Sequence, residues 1–190
     1  MALYTGKGDD GTTKLFDCPS GSRLSKSAKA VEALGNVDEL NTIVGLARAL
    51  NRDEPAHLTL DGAEVRYTDI LMKVQQQLFI VQADLAGADK KITPEHLDYL
   101  ERVIAAVTAQ LPPPTSFVLS GGSPMSAILD LARTVTRRAE RSIVAVNEEG
   151  IRPVSATTLA FMNRLSSLCY ALARYANYQT GLTEIAPTYQ

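Results

Sequence analysis

Met125-Ser-Ala-Ile-Leu-Asp-Leu-Ala-Arg-Thr-Val-Thr-Arg-Arg-Ala-Glu-Arg-Ser-Ile-Val-Ala-Val-Asn-Glu148 is the stretch that decides the fold. Its apolar residues Ile128, Leu131, Ala132, Val135, Ala139, Ile143 and Val146 recur at three- and four-residue steps. That period marks an amphipathic helix with one face in a core. Arg133, Arg137 and Arg141 stand at i, i+4 and i+8, with Glu140 among them. At roughly 100° per residue these four span an arc of about 100°, centred nearly opposite the apolar face. One reading is a solvated polar face. Yet like charges four residues apart repel by a few tenths of a kcal/mol per pair. The stripe therefore also suits an anion or a partner carboxylate, and the arginine fork matches phosphate. Since it points away from its own core, a second copy of the chain could lie against it, with a polyphosphate between the two. Arg138 lies further round, as a separate surface or interface residue.

Outward from this helix the same period returns. Ala30, Ala33, Leu34, Val37, Leu40, Val44 and Ala47 predict a helix from about Lys26 to Leu50, ending before Asn51-Arg52-Asp53-Glu54-Pro55. A second fits Gly62–Ala86 through Leu71, Val74, Leu78, Val81 and Leu85. A third opens at Thr93-Pro94-Glu95-His96, where threonine can cap and proline suits the first turn. It stops at Pro112-Pro113-Pro114. The last follows Gly150 and Pro153 and runs to about Thr180. Five long helices with almost no alternating strand pattern predict an all-α bundle. Residues 1–25 are polar and glycine-rich and read as a loop or short extended arm. Residues 26–181 read as the bundle, and 182–190 as a tail of the same single domain.

Composition sets limits. The chain has 190 residues, is 45% hydrophobic, 21% charged and 6% aromatic, and carries a net charge of −2. One domain of this size buries a core without staples, and Cys18 and Cys169 could not form a disulfide scaffold. No basic excess predicts nucleic-acid binding. No apolar run reaches the ~18–20 residues of a membrane span. Met1 to Gly11 lacks the apolar run of a secretory signal, so a cytoplasmic protein is expected.

Other candidate sites carry a bland reading beside the sharp one. Gly6-Lys7-Gly8-Asp9-Asp10-Gly11-Thr12-Thr13 reads as a flexible tail or as an anion cradle of glycine backbone, lysine and hydroxyls. It is not a P-loop, since no Gly-x-x-x-x-Gly-Lys-Ser/Thr is present. Lys26 and Arg23 are surface bases or additions to that cradle. Asp38 and Glu39 are exposed helix charges, or one pairs with the arginine stripe of a neighbouring subunit. Asn163, Ser167, Tyr170, Arg174 and Asn177 form a polar stripe expected to face solvent, and packing accounts for Tyr175 to Tyr178. Cys169 falls on an apolar face and reads as a buried thiol. Glu54-Pro55-Ala56-His57 is the sole Glu-x-x-His spacing and His96 lacks a partner, so a di-iron bundle is not expected. No Cys/His cluster suggests zinc.

Five motifs in order resemble the PduO-type ATP:cob(I)alamin adenosyltransferases. They are Thr5-Gly-Lys-Gly-Asp-Asp-Gly-Thr-Thr13, Gly35-Asn-Val-Asp-Glu-Leu-Asn41, Phe117-Val-Leu-Ser-Gly-Gly122, Ala132-Arg-Thr-Val-Thr-Arg-Arg-Ala-Glu-Arg141 and Asn163-Arg-Leu-Ser166. The resemblance covers residues 4 to about 178. It implies a five-helix, ferritin-like bundle that forms a homotrimer with active sites between subunits. It implies transfer of the 5′-deoxyadenosyl group of ATP to Co(I) of a corrinoid, cob(I)alamin, with release of triphosphate and with Mg²⁺ beside the phosphates. By the same resemblance Thr5, Gly6, Lys7, Gly8, Thr13, Lys14 and Lys26 would hold ATP, and Arg137, Glu140, Arg141 and Asn163 would complete that site. Arg133 would pair with Asp38 across the interface and shape the floor of the corrin pocket. Phe117 would press on the lower face of the corrin and keep water or the base off cobalt. Since cobalt is the nucleophile, no activated serine or cysteine is required.

The chain departs from the family pattern at Ser120 (usually proline), Ser167 (usually aspartate) and Gln82 (usually small). The implied partners are a reductase that supplies Co(I) and an adenosylcobalamin-dependent client enzyme. Two other readings stand beside this one. The first is an ATP-dependent carrier that hands adenosylcobalamin to its client. The second is a non-catalytic helical oligomer with a solvated arginine face.

Overall fold

The computed structural model describes residues 3–52, 57–114 and 116–189. Five helices carry the fold: α1 (Lys29–Leu50), α2 (Tyr67–Leu85), α3 (Pro94–Gln110), α4 (Pro124–Glu148) and α5 (Ala156–Gln179). They pack in the order α2–α1–α4–α5–α3, so α4 sits in the middle of the bundle. Being flanked on two sides widens and turns its buried face. Leu129, Ala132, Val135, Thr136, Ala139, Ile143 and Val146 point inward. Leu131, expected in the core, is 47% exposed, and Leu129 takes the inner place. Thr136 is tolerated there because its hydroxyl donates to the Ala132 carbonyl at 2.7 Å. Ser123 caps the helix by accepting from the Ser126 amide at 3.1 Å, and Pro124 occupies the first turn.

The core joins all five helices through Leu40, Ile70, Leu78, Leu100, Ile143, Phe161 and Leu165, each almost fully buried. Complete burial of one such side chain is worth about 1.5–3 kcal/mol. Cys169 belongs to the same core, and burial pushes its thiol up to about 12. α3 starts where threonine and proline predicted, with the Thr93 amide donating to His96 Nδ1 at 3.0 Å. It ends at Gln110, just before the three prolines.

Two small antiparallel pairs depart from the expected all-helical pattern. β1 (Thr12–Thr13) pairs with β2 (Leu24–Ser25), which folds the arm onto itself and delays α1 to Lys29. β3 (His57–Leu60) pairs with β4 (Ala63–Arg66), so α2 begins at Tyr67 rather than near Gly62. Asp61-Gly62, with φ of 52° and 80°, is the two-residue turn that joins the strands. Leu58 and Leu60 alternate inward from β3, a period-2 signal only four residues long. Asp53, Glu54, Pro55 and Ala56, which carry most of the Glu-x-x-His spacing and the expected break after α1, lie outside the described residues, as does Met1.

Candidate active site at the arm and the arginine face

The arm is a built structure rather than a loose tail. Lys26 Nζ donates to the Gly8 carbonyl at 2.8 Å, and the Lys26 amide to the Gly11 carbonyl at 2.9 Å. A Cβ on Gly8 would lie 3.1 Å from the Thr12 carbonyl oxygen and 3.2 Å from Lys26 Nζ, so a larger residue here would press on both by a few tenths of an ångström. Arg23 grips Thr12 through its hydroxyl at 2.5 Å and its carbonyl at 2.9 Å. Hydrogen bonds from the Thr12 hydroxyl and amide hold the Asp10 carboxyl below its ordinary range. Thr5, Gly6, Lys7 and Lys14 stay exposed around this frame, with Thr13 half-buried in β1. The Phe16 amide donates to the Ala86 carbonyl at 2.9 Å, and Arg152 pairs with Asp17 at 2.7 Å, which docks the arm on the end of α2.

On α4 the three arginines separate. Arg133 pairs with Asp130 on its own helix at 3.0 Å. Arg137 and Arg141 are exposed, and neither has an ion pair or hydrogen bond among the described residues. Glu140, between them, accepts from Asn163 Nδ2 at 3.1 Å, so α4 and α5 present these four residues together. Asn163 also accepts from Arg164 at 3.0 Å, which orients its amide. Arg138 pairs with Glu39 of α1 in the same chain. Among the described residues no hydrogen bond or ion pair joins residues 5–14 to α4, so the two halves of the expected ATP site are not bonded to each other within one chain.

Asp38 lies on α1 and accepts from Gln82 Nε2 at 3.3 Å. Both line a groove of about 490 Å³, otherwise mostly apolar, with Phe16, Leu34 and Phe79 on its walls. The Gln82 departure thus falls on Asp38 itself. Within one chain Asp38 and Arg133 are not paired. Phe117 stands on the loop between α3 and α4 and is 81% exposed. Ser120 and Ser167 are exposed.

Several residues escaped the sequence reading. Asp130 lies three residues before Arg133, a helical pairing distance that was legible in principle. Asn36 and Asn41, inside the α1 motif, are buried staples. Asn36 donates to Ser142 Oγ at 2.8 Å, and Gln75 donates to the Asn41 carbonyl at 3.1 Å. Asn177, expected to face solvent, is buried, and its side chain holds the turn before α4.

Comparison with known proteins agrees with the fold. The chain is 38% identical to the corrinoid adenosyltransferase of Bacillus subtilis over 189 residues, covering 97% of this chain and 91% of that one. It is 34% identical to the human corrinoid adenosyltransferase MMAB, covering 96% of this chain and 71% of that one. A variant of the PduO-type ATP:corrinoid adenosyltransferase from Lactobacillus reuteri, solved with cobalamin and ATP, superposes with a TM-score of 0.83. That likeness covers 98% of this chain and 99% of the other, at 31% identity. Residues 3–176 match the family described as cobalamin adenosyltransferase, and by that match and these identities the chain belongs to this family.

Proposed function

We propose that the chain transfers the 5′-deoxyadenosyl group of ATP to Co(I) of a corrinoid at a site completed by a second copy. The observation that carries this is Arg137 and Arg141, exposed and unpaired among the described residues, beside the Glu140–Asn163 pair. Two free guanidinium forks next to an oriented carboxylate and amide suit a polyphosphate. The arm offers the complementary half: Lys7, Lys14 and Lys26, the Thr5 and Thr13 hydroxyls, and the Gly6–Gly8 backbone. Since no bond joins that half to the arginines of its own chain among the described residues, a neighbouring subunit supplies it in this reading, and a homotrimer closes three equivalent sites.

In the reaction the Co(I) electron pair forms the cobalt–carbon bond while the C5′–O bond breaks. The triphosphate leaves with the bonding pair. The chain's residues hold ATP so that C5′ is presented in line, and cations neutralise the leaving charge. Magnesium belongs with the substrate in this reading, beside the phosphates of ATP. The apolar groove around Asp38 suits the face of a corrin, with Arg133 of the neighbouring chain as the counter-charge to Asp38. Phe117 serves as the apolar cover on the lower face of the ring. The reading also calls for a reductase that delivers the electron and, downstream, an adenosylcobalamin-dependent client. A cytoplasmic setting goes with it.

Calorimetric titration with ATP and magnesium separates this from a non-catalytic oligomer. Saturable binding to a trimer is expected. No binding heat, or binding by a monomer with equal affinity, would overturn the intersubunit site.

A further inference from the structure

We propose that Arg174 and Asn177, three residues apart on α5, are positioning residues that brace the loop carrying Phe117, with the segment after α5 as a strap. The loop between α3 and α4 is held at its start, its middle and its end. At the start, Arg174 Nη2 donates to the Pro112 carbonyl at 3.2 Å. The same guanidinium grips Glu184 of the strap, with Nε 3.0 Å from both carboxylate oxygens and Nη2 2.9 Å from one. In the middle, the Leu119 amide donates to the Ile185 carbonyl at 2.8 Å, so the strap runs beside the loop two residues beyond Phe117. At the end, Asn177 Nδ2 donates to the Gly121 carbonyl and its Oδ1 accepts from the Ser123 amide, both at 3.0 Å. The Asn177 carbonyl also accepts from the Leu182 amide at 3.0 Å, which turns the strap back from the end of α5.

The side chains of Arg174 and Glu184 are only 11% and 22% exposed. A forked, charge-assisted pair so shielded is less screened than a surface pair. Gly122 has φ +111°, and a Cβ there would lie 2.5 Å from Asn177 Oδ1, so the asparagine sits hard against the turn. Beside these fixed groups Phe117 is the most exposed large apolar side chain, at 81% against 55% for Leu119 and 65% for Ile185. An exposed aromatic ring can press on a ligand only if its backbone does not yield, and this brace supplies that resistance. Arg174 and Asn177 act through Phe117 and touch no substrate.

This rests on the adenosyltransferase reading for what Phe117 meets, so the test has two readouts. The chain contains no tryptophan, so Phe117→Trp installs a single indole at the loop tip. In that background Glu184→Ala is expected to lower the limiting anisotropy of the indole markedly, with Glu184→Gln intermediate and the helical circular dichroism unchanged. With Phe117 retained, Glu184→Ala is expected to raise the corrinoid KM by about 10-fold, the scale of one lost charge-assisted bond, and to leave the ATP KM unchanged. Unchanged anisotropy overturns the brace. Lower anisotropy with an unchanged corrinoid KM overturns its positioning role. Wild-type protein that forms no adenosylcobalamin overturns the adenosyltransferase reading instead, and the anisotropy still decides the brace.

Discussion

Arg137→Ala is expected to lower turnover by about 10²- to 10⁴-fold while leaving the thermal midpoint where it was. The magnitude follows from two charge-assisted bonds to a polyphosphate, at roughly 1.5–3 kcal/mol each and 1.4 kcal/mol per tenfold in rate. The intact fold follows from exposure. Arg137 has no partner among the described residues, and surface substitutions of that kind cost within about 0.5 kcal/mol. Arg137→Lys is expected to fall between, because a single ammonium keeps the charge and loses the fork. Steady-state kinetics with ATP and cob(I)alamin, beside a melting curve, read both quantities. A turnover within twofold of wild type would remove Arg137 from the site.

Phe117→Ala is expected to cut the fraction of cob(II)alamin held four-coordinate by roughly 10- to 100-fold, and turnover with it. An apolar ring of this size stabilises what it covers by about 1.5–3 kcal/mol. Phe117 is 81% exposed in the isolated chain, so none of that is used in folding and its removal leaves no cavity. A lower ligand on cobalt stabilises Co(II), and without the ring water or base returns to that position. The optical spectrum of the protein with cob(II)alamin and ATP measures the effect. An unchanged four-coordinate signal with Ala at 117 would contradict the role given to the ring, whereas loss of ATP binding would place Phe117 in the other half of the site.

Much of the fold was legible where local chemistry and helical period agreed. Thr93-Pro94 and Pro112 to Pro114 bounded α3, and the apolar steps on α4 placed it in a core. The β3–β4 hairpin was missed because each strand is four residues long, and the residues from Gly62 onward also fitted a helical register. The rotation of α4 that exposes Leu131 depends on packing between α1 and α5, which no single-helix pattern contains. At the site, the arginine stripe was visible but its division was not. Asp130 claims Arg133 and Glu39 claims Arg138, which leaves Arg137 and Arg141 without a partner among the described residues. Asn177 read as solvent-facing because its partners, Gly121 and Ser123, lie more than fifty residues earlier.

The most direct test is product analysis after incubation of the wild-type chain with cob(I)alamin, ATP and magnesium. Adenosylcobalamin and inorganic triphosphate are expected in equal amounts. ADP or orthophosphate as the nucleotide-derived product, with no cobalt–carbon bond formed, would contradict adenosyl transfer to cobalt.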